Sequence, residues 1–132
     1  MNLDLERAAD ALSKVENLAG KSQAGKYVSY VKSLPAAILQ NGLGQAMATL
    51  LAAAGGKVLE NDAHGALYQH LESWLCRNDA CAPYRGKENL MQAITGGEQL
   101  AYLHAQGEAM AYLNWLKKFA VAYLVLREDE TP

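Results

Sequence analysis

The chain has 132 residues, 51% of them hydrophobic and 20% charged, with a formal net charge of -2. That length holds one hydrophobic core, and so high an apolar fraction with so little net charge excludes a disordered chain. The longest near-apolar runs, residues 46–54 and 119–126, are too short for a membrane span of about 20 residues, and Asp4, Glu6 and Asp10 stand where a secretory signal needs an apolar run.

Apolar residues recur at helical spacing almost everywhere. Leu5, Ala8, Leu12, Val15 and Ala19 form one face of a first amphipathic helix, which Gly20 ends. A second helix carries Tyr27, Val31, Leu34 and Ile38. Pro35 predicts a kink or break in it, and Asn41-Gly42 closes it. Residues 43–54, rich in Ala and Leu, read as a third helix, apolar nearly all round and therefore central, ending at Gly55-Gly56. Asn61 or Asp62 can cap a fourth helix running to about Arg77. A loop with Pro83 follows over 78–86, then a short helix over 87–94.

The last helix is expected over residues 98–126, roughly 43 Å at 1.5 Å per residue. A globule of this size is about 36 Å across, so the helix should bend at Gly107 or protrude. Its apolar stripe reads Tyr112, Leu116, Phe119, Tyr123 and Leu126, with Asn114, Lys117 and Lys118 opposite. No stretch alternates as a strand does, and no repeat is visible. The expectation is a single all-α domain, residues 1–132, built as a compact bundle of about six helices, with 127–132 as a frayed acidic tail. The default compartment is the cytoplasm.

Charge is segregated along the chain. Residues 17–59 hold Lys21, Lys26, Lys32 and Lys57 and no acid; residues 109–127 hold Lys117, Lys118 and Arg127 and no acid. Acids dominate 1–16, 60–108 and 128–130. If the two acid-free stretches pack together they build a basic face; otherwise the lysines are solvated helix surface. On an unbroken helix over 26–40, Lys26, Ser29, Lys32, Ser33, Ala36 and Gln40 fall within an arc of roughly 120° opposite the core stripe. Such groups can hold phosphate oxygens without reading sequence. Tyr30 and Trp115 can stack on bases or simply pack.

Little else carries chemistry. Cys76 and Cys81, as C-x4-C, lack the four ligands of structural zinc and the C-x-x-C of a redox site. A disulfide across the intervening turn is possible, and two free thiols suit the cytoplasm. His64 and His70 are six apart and share no helix face, so they are no helical metal pair; His104 stands alone. Gly42-Leu43-Gly44 lacks the third glycine and the preceding strand of a dinucleotide fingerprint and reads as a helix stop and restart. No catalytic residue, metal or cofactor is expected.

Two stretches carry a resemblance: Tyr27-Val28-Ser29-Tyr30-Val31-Lys32-Ser33-Leu34-Pro35, continuing through Ile38 to Asn41-Gly42-Leu43, and Ala111-Tyr112-Leu113-Asn114-Trp115-Leu116-Lys117-Lys118-Phe119-Ala120. Together they resemble the small subunit of the Cmr complex, the type III-B CRISPR effector. The resemblance implies a non-enzymatic subunit of an RNA-guided complex. Its copies stack beside a filament of backbone subunits holding the guide RNA, and target RNA runs between. Its implied partners are the other Cmr subunits, further copies of itself, and guide and target RNA, with no membrane. Carried over, it makes Lys26, Lys32, Lys117 and Lys118 the RNA-contact candidates. Lys57, Arg85 and Lys87 lie outside both motifs and rest on charge alone. Leu34, Pro35, Asn41, Gly42, Tyr112, Leu116 and Phe119 read as structural, as does Trp115 unless it is exposed at a subunit contact. Lys118 stands where the family often has arginine, so it offers a point charge without the bidentate fork. The competing reading is a helical protein–protein adaptor that touches no RNA.

Overall fold

The computed structural model describes residues 2–59 and 61–125. It is all-helical over them, with five helices: α1 (Leu3–Leu18), α2 (Ala24–Ala53), α3 (Ala63–Leu75), α4 (Leu90–Gly96) and α5 (Gln99–Leu124). The expected tail 127–132 and Leu126 lie outside the described residues. No helix among the described residues is long and apolar enough to cross a membrane.

Side-chain caps set three of the helix starts. Asn2 accepts from the Asp4 and Leu5 amides at α1, Asp62 from the Gly65 amide at α3, and Asn89 from the Gln92 amide at α4. Each satisfies an amide that has no partner inside its helix. Asn89 places the start of α4 at Leu90 instead of Lys87, whose own amide closes a turn onto the Tyr84 carbonyl. α3 ends at Leu75, just short of the expected Arg77.

The count falls from six to five because the expected second and third helices run on as α2. Pro35 sits inside it without breaking it. The bend comes at Gly42, whose φ of 85° and ψ of 159° are non-helical. Positive φ is cheap only for glycine, and a Cβ here would meet the Tyr102 hydroxyl at 3.0 Å. The limb beyond the bend starts with free amides, and α5 supplies their partners. The Leu43 amide donates to Gln106 Oε1 at 3.0 Å and the Gly44 amide to Tyr102 Oη at 2.8 Å. The two limbs fold toward each other, since Tyr30, Leu34 and Ala37 share a cleft of about 250 Å³ with Ala46, Leu50 and Ala53. The second limb is not central: it buries Leu43, Ala46, Met47 and Leu50 and exposes Gln45, Ala48, Thr49 and Ala52.

The centre belongs to α5, which packs on α1 and α2. It continues through Gly107, and its 26 residues span about 39 Å. Val121, Tyr123 and Val125 are exposed at its far end. Its buried stripe is Ala105, Glu108, Ala109, Tyr112, Leu113, Leu116, Ala120 and Leu124. Phe119 is therefore half-buried and Tyr123 lies outside, contrary to the stripe read from spacing.

A buried carboxylate on that stripe explains which face α1 turns inward. Glu108, only 4% exposed, accepts from Arg7 Nε at 2.7 Å, Arg7 Nη2 at 2.9 Å and the Trp74 indole at 2.9 Å. α1 must therefore turn Arg7 inward. It buries Ala11, Val15 and Leu18 and leaves Leu5 62% exposed, so the face headed by Leu5 and Leu12 is not the core face. On the same side Tyr112 donates to Asp10, Asp10 pairs with Lys14 at 2.6 Å, and Lys14 donates to the His70 carbonyl at 3.0 Å. The Arg77 guanidinium lies 3.6 Å over the Trp74 ring, which stacks on Tyr112 at 4.9 Å. Burial pushes the Glu108 carboxyl up, but its bonds to Arg7 and Trp74 outweigh this and hold it below the ordinary range.

His70 ties α3 to α2 through Nδ1 and the Tyr27 hydroxyl, 2.6 Å apart. Burial, with the Lys14 charge beside it, lowers its pKa to about 3, against the opposing pull of Asp10. The imidazole is thus neutral in the folded chain, and its tautomer sets which of Nδ1 and the Tyr27 hydroxyl donates to the other.

Both buried groups can be tested through stability. Glu108→Ala strands the Arg7 guanidinium and the Trp74 indole and should cost about 3–5 kcal/mol in urea unfolding; a loss below about 1 kcal/mol would show that the carboxylate does not organise the core. For His70 the folded pKa lies below the unfolded value near 6.5, so its contribution is whole above that pH. It declines as pH falls from about 6.5 towards 3, by up to about 1.4 kcal/mol per pH unit. His70→Asn keeps a hydrogen-bond partner for Tyr27 without titrating, so its urea midpoint should fall less between pH 7 and pH 4.5 than that of the parent chain. Equal falls would refute the assignment.

Candidate nucleic-acid interface

The first limb of α2 separates its faces cleanly. Tyr27, Val28, Val31, Leu34 and Ile38 are buried, while Lys26, Ser29, Lys32, Ser33, Ala36 and Gln40 are all exposed. Because Pro35 leaves the helix intact, Ala36 and Gln40 stay in line with the lysines. Ser33 Oγ donates back to the Tyr30 carbonyl at 3.1 Å, which uses its proton and leaves Ser29 as the hydroxyl of the row that can donate to a phosphate oxygen. Among the described residues, no carboxylate lies within salt-bridge distance of Lys26 or Lys32.

α5 runs antiparallel to this limb. Val28 shares a cleft with Leu124, and at the other end Leu43 and Gly44 bond to Gln106 and Tyr102. That register sets Lys32 level with residues 117–121, a range that holds both Lys117, half-buried, and Lys118. Lys118 is exposed and turned elsewhere: its charge acts on Asp4 of α1. The candidate lysines of α5 thus diverge, Lys117 standing level with the α2 row and Lys118 joining the α1–α5 seam.

Of the weaker candidates, Arg85 and Lys87 are not brought to this surface. Lys57 is exposed in the segment after α2. Arg85 and Lys87 line a cleft of about 720 Å³ with Glu88, Asn89, Gly97 and Ala101. Ala101 lies sixteen residues from Lys117 along α5, roughly 24 Å. Arg85 Nε there donates to Asn78 Oδ1 at 3.1 Å.

The aromatic candidates are mostly engaged. Tyr30 is half-buried with one face stacked on His64 at 4.0 Å and 18°. Trp115 is half-buried, donates to Asp4 Oδ1 at 3.0 Å and stacks on Phe119 at 5.6 Å. The hydrogen bond from Trp115 holds the Asp4 carboxyl below its ordinary range; burial opposes this, and Arg7 and Lys118 add to it. The free aromatic is one assigned from sequence to the core: Tyr123, 60% exposed, at a cleft of about 580 Å³ shared with Lys21, Ser22 and Gly25. Helical spacing puts it on the same face as Tyr112; it is exposed because it lies beyond the start of α1, whose Asp4 meets Trp115.

The remaining chemistry-bearing side chains serve structure. Cys76 and Cys81 are free thiols, Cys76 buried at the end of α3 and Cys81 exposed. Backbone bonds close the loop without a disulfide, from the Tyr84 amide to the Leu75 carbonyl and from the Gly86 amide to the Cys76 carbonyl. Burial, helped by Glu72, pushes the Cys76 thiol up to about 11. His64 lies 3.4 Å from Asp62 and against Tyr30, and His104 is exposed. Among the described residues no three His, Cys, Asp or Glu side chains gather to hold a metal ion. The amides of Leu43 and Gly44 are taken up by α5, which leaves them nothing to offer a phosphate.

Comparison with known proteins agrees with the sequence motifs. Residues 3–123 match the family described as CRISPR-associated protein (Cas_Cmr5). The chain is similar to the CRISPR system Cmr subunit Cmr5 of Thermus thermophilus, 32% identical over 117 residues that cover 89% of this chain and 91% of that one. It is also similar to the crystal structure of a CRISPR-associated Cmr5 family protein from Thermus thermophilus. That likeness has a TM-score of 0.73 and 27% identity, over 95% of this chain and all of the other.

The two thiols give a direct check on the loop. In the native chain, without reductant, one thiol per molecule should react rapidly with a disulfide reagent, namely Cys81. Cys76 should react only after unfolding. A native chain with no reactive thiol until it is reduced would mean that the two are bonded.

Proposed function

The chain belongs to the Cmr5 family of CRISPR-associated proteins, and on that premise we propose that it is the non-catalytic small subunit of a type III-B Cmr effector complex. Copies of it stack beside the other Cmr subunits, and each copy touches guide or target RNA through the exposed lysine row of α2 and through α5. The observation that carries this reading is the first limb of α2: Lys26, Ser29, Lys32 and Ser33 stand exposed in one row within an acid-free stretch, level with Lys117. Lysines with no carboxylate in salt-bridge range among the described residues, and the Ser29 hydroxyl between them, suit phosphate oxygens and carry no sequence preference. Arg7 and Lys14 of α1, by contrast, are turned toward Glu108 and Asp10 and have no part in it.

Each copy offers few phosphate contacts, so one chain binds RNA weakly and a stacked array binds it strongly. Leu39 at 72%, Leu100 at 78% and Leu103 at 55% exposure supply apolar surface outside the lysine row for contacts with protein neighbours. The absence of catalysis follows from the family reading. It agrees with the engagement of His70, His64 and Cys76 in packing.

Replacing Lys26, Lys32, Lys117 and Lys118 together by alanine in the assembled complex should weaken RNA engagement. It should reduce the slope of log K against log salt by up to about 0.7 for each phosphate no longer neutralised and leave sequence preference unchanged. The matching triple replacement of Lys57, Arg85 and Lys87 should have a smaller effect. An unchanged slope in the first variant removes these lysines from the RNA surface. Failure of photo-crosslinking between RNA and this chain in the complex would favour the adaptor that touches no RNA.

A further inference from the structure

The cleft between the α1–α2 turn and the end of α5 brings a lysine, a hydroxyl and an open aromatic ring together. It measures about 580 Å³ and is lined by Gly20, Lys21, Ser22, Ala24, Gly25 and Val28 on one side and by residues 123–125 on the other. Such a volume is in the ordinary range for small-ligand sites, about 300–1,000 Å³. No acid lines it among the described residues, and Lys26, exposed, follows Gly25 at its edge.

Tyr123 is placed for a partner rather than for the core. One edge of its ring meets Phe119, 6.3 Å away and tilted by 35°, at the end of the Trp115–Phe119 stack. The rest is open, at 60% exposure. The backbone beneath is bare, because Gly20 and Gly25 present no side chain and a Cβ at either would meet nothing within 4 Å. A flat ligand can therefore approach the ring face, while Lys21, Ser22 and Lys26 reach an anionic group beside it. An aromatic face joined to cations and a hydroxyl suits one unit of a single-stranded nucleic acid, the base on the ring and the phosphate on the lysines.

From this juxtaposition we propose that the cleft is a single-nucleotide site. One unpaired RNA base stacks on Tyr123, and its phosphate is held by Lys21, Lys26 and Ser22. The site lies at the end of the lysine row and extends the RNA path assigned above; it rests on that reading. It adds a stacking contact that the lysine row lacks, and it gives Lys21 a role that neither sequence motif covers.

The test is photo-crosslinking of a single-stranded oligouridylate carrying 4-thiouridine, in the assembled complex and with the free chain, with the attachment site mapped by peptide mass spectrometry. Crosslinks are expected at Tyr123. Tyr123→Ala should weaken binding at least about fivefold, the lower end of what one base–aromatic stack contributes, and Tyr123→Phe should restore it. Lys21→Ala with Lys26→Ala should lower the salt slope by up to about 1.4, two single-strand phosphates. Tyr123 is exposed, so thermal unfolding of the alanine variant should match that of the parent and remove misfolding as a cause. RNA that binds and crosslinks along the α2 row, with Tyr123→Ala without effect, overturns this site and leaves the RNA-contacting subunit standing. RNA that reaches no part of this chain overturns both.

Discussion

A carboxylate in the middle of a helical bundle is costly unless every lone pair finds a donor. Glu108 finds three, two from one arginine fork and one from an indole. The fork requires α1 to present Arg7 to α5 at a fixed azimuth. The indole requires α3 to present Trp74 to the same point. Three helices are thereby located relative to one carboxyl group, and the apolar contacts fill in around it. Dispersion and burial are nearly indifferent to a rotation of α1 by one residue; a bidentate pair is not. The ion pair is therefore a specification of register more than a source of net stability, since buried pairs often do little better than the hydrocarbon that could replace them.

The second constraint is at Gly42, and it depends on the first. α2 reverses at a φ that only glycine tolerates well, and the amides freed by the bend are capped by Gln106 and Tyr102. Both caps come from α5, within two turns before Glu108. The rotation of α5 that sends Glu108 inward also sends Tyr102 and Gln106 toward α2. The same face brings Tyr112 against Trp74; Tyr123, eleven residues and about three turns further along that face, is exposed because it lies beyond the start of α1, whose Asp4 already meets Trp115. Core and bend are consequences of a single azimuth, and the exposed end of α5 follows from where its neighbour begins.

This coupling marks what could be read in the sequence. Ends were legible where they depend on local chemistry: the stop at Gly20, the bend at Asn41-Gly42, the Asp62 cap. The all-helical class was legible from spacing. Faces were legible only where apolar residues had no polar competitor. In α2 they had none, and the exposed row Lys26, Ser29, Lys32, Ser33 falls where spacing puts it. In α1 the periodic set headed by Leu5 was as good an apolar face as Ala11, Val15 and Leu18. What separated the two was a partner for Arg7 that lies 101 residues away. In α5, Tyr123 and Tyr112 are the same residue type on the same face, about 20° apart, and what separates them is where α1 begins, with Asp4 already level with Trp115. Pro35 misled for the opposite reason: the helix tolerates it, and the glycine seven residues on takes the bend.

The same long-range pairing changes the meaning of the chain's small net charge. Arg7 pairs with Glu108 across α1 and α5 and with Asp4 within α1, and Lys14 pairs with Asp10 within α1, so two bases offset most of the charge of these three acids at close range. Lys26 and Lys32 have no carboxylate in salt-bridge range among the described residues. A ligand approaching the first limb of α2 meets those lysines without compensating acids at contact distance, within the roughly 8 Å over which charges act at physiological salt. A sum of -2 counts every charge equally, whereas a phosphate responds only to those within a screening length. The acids that bring the sum below zero belong to other segments, and several are already engaged. A near-neutral helical protein can thus present a basic row, and the internal neutralisation of α1 against α5 is what leaves that row to be read from outside.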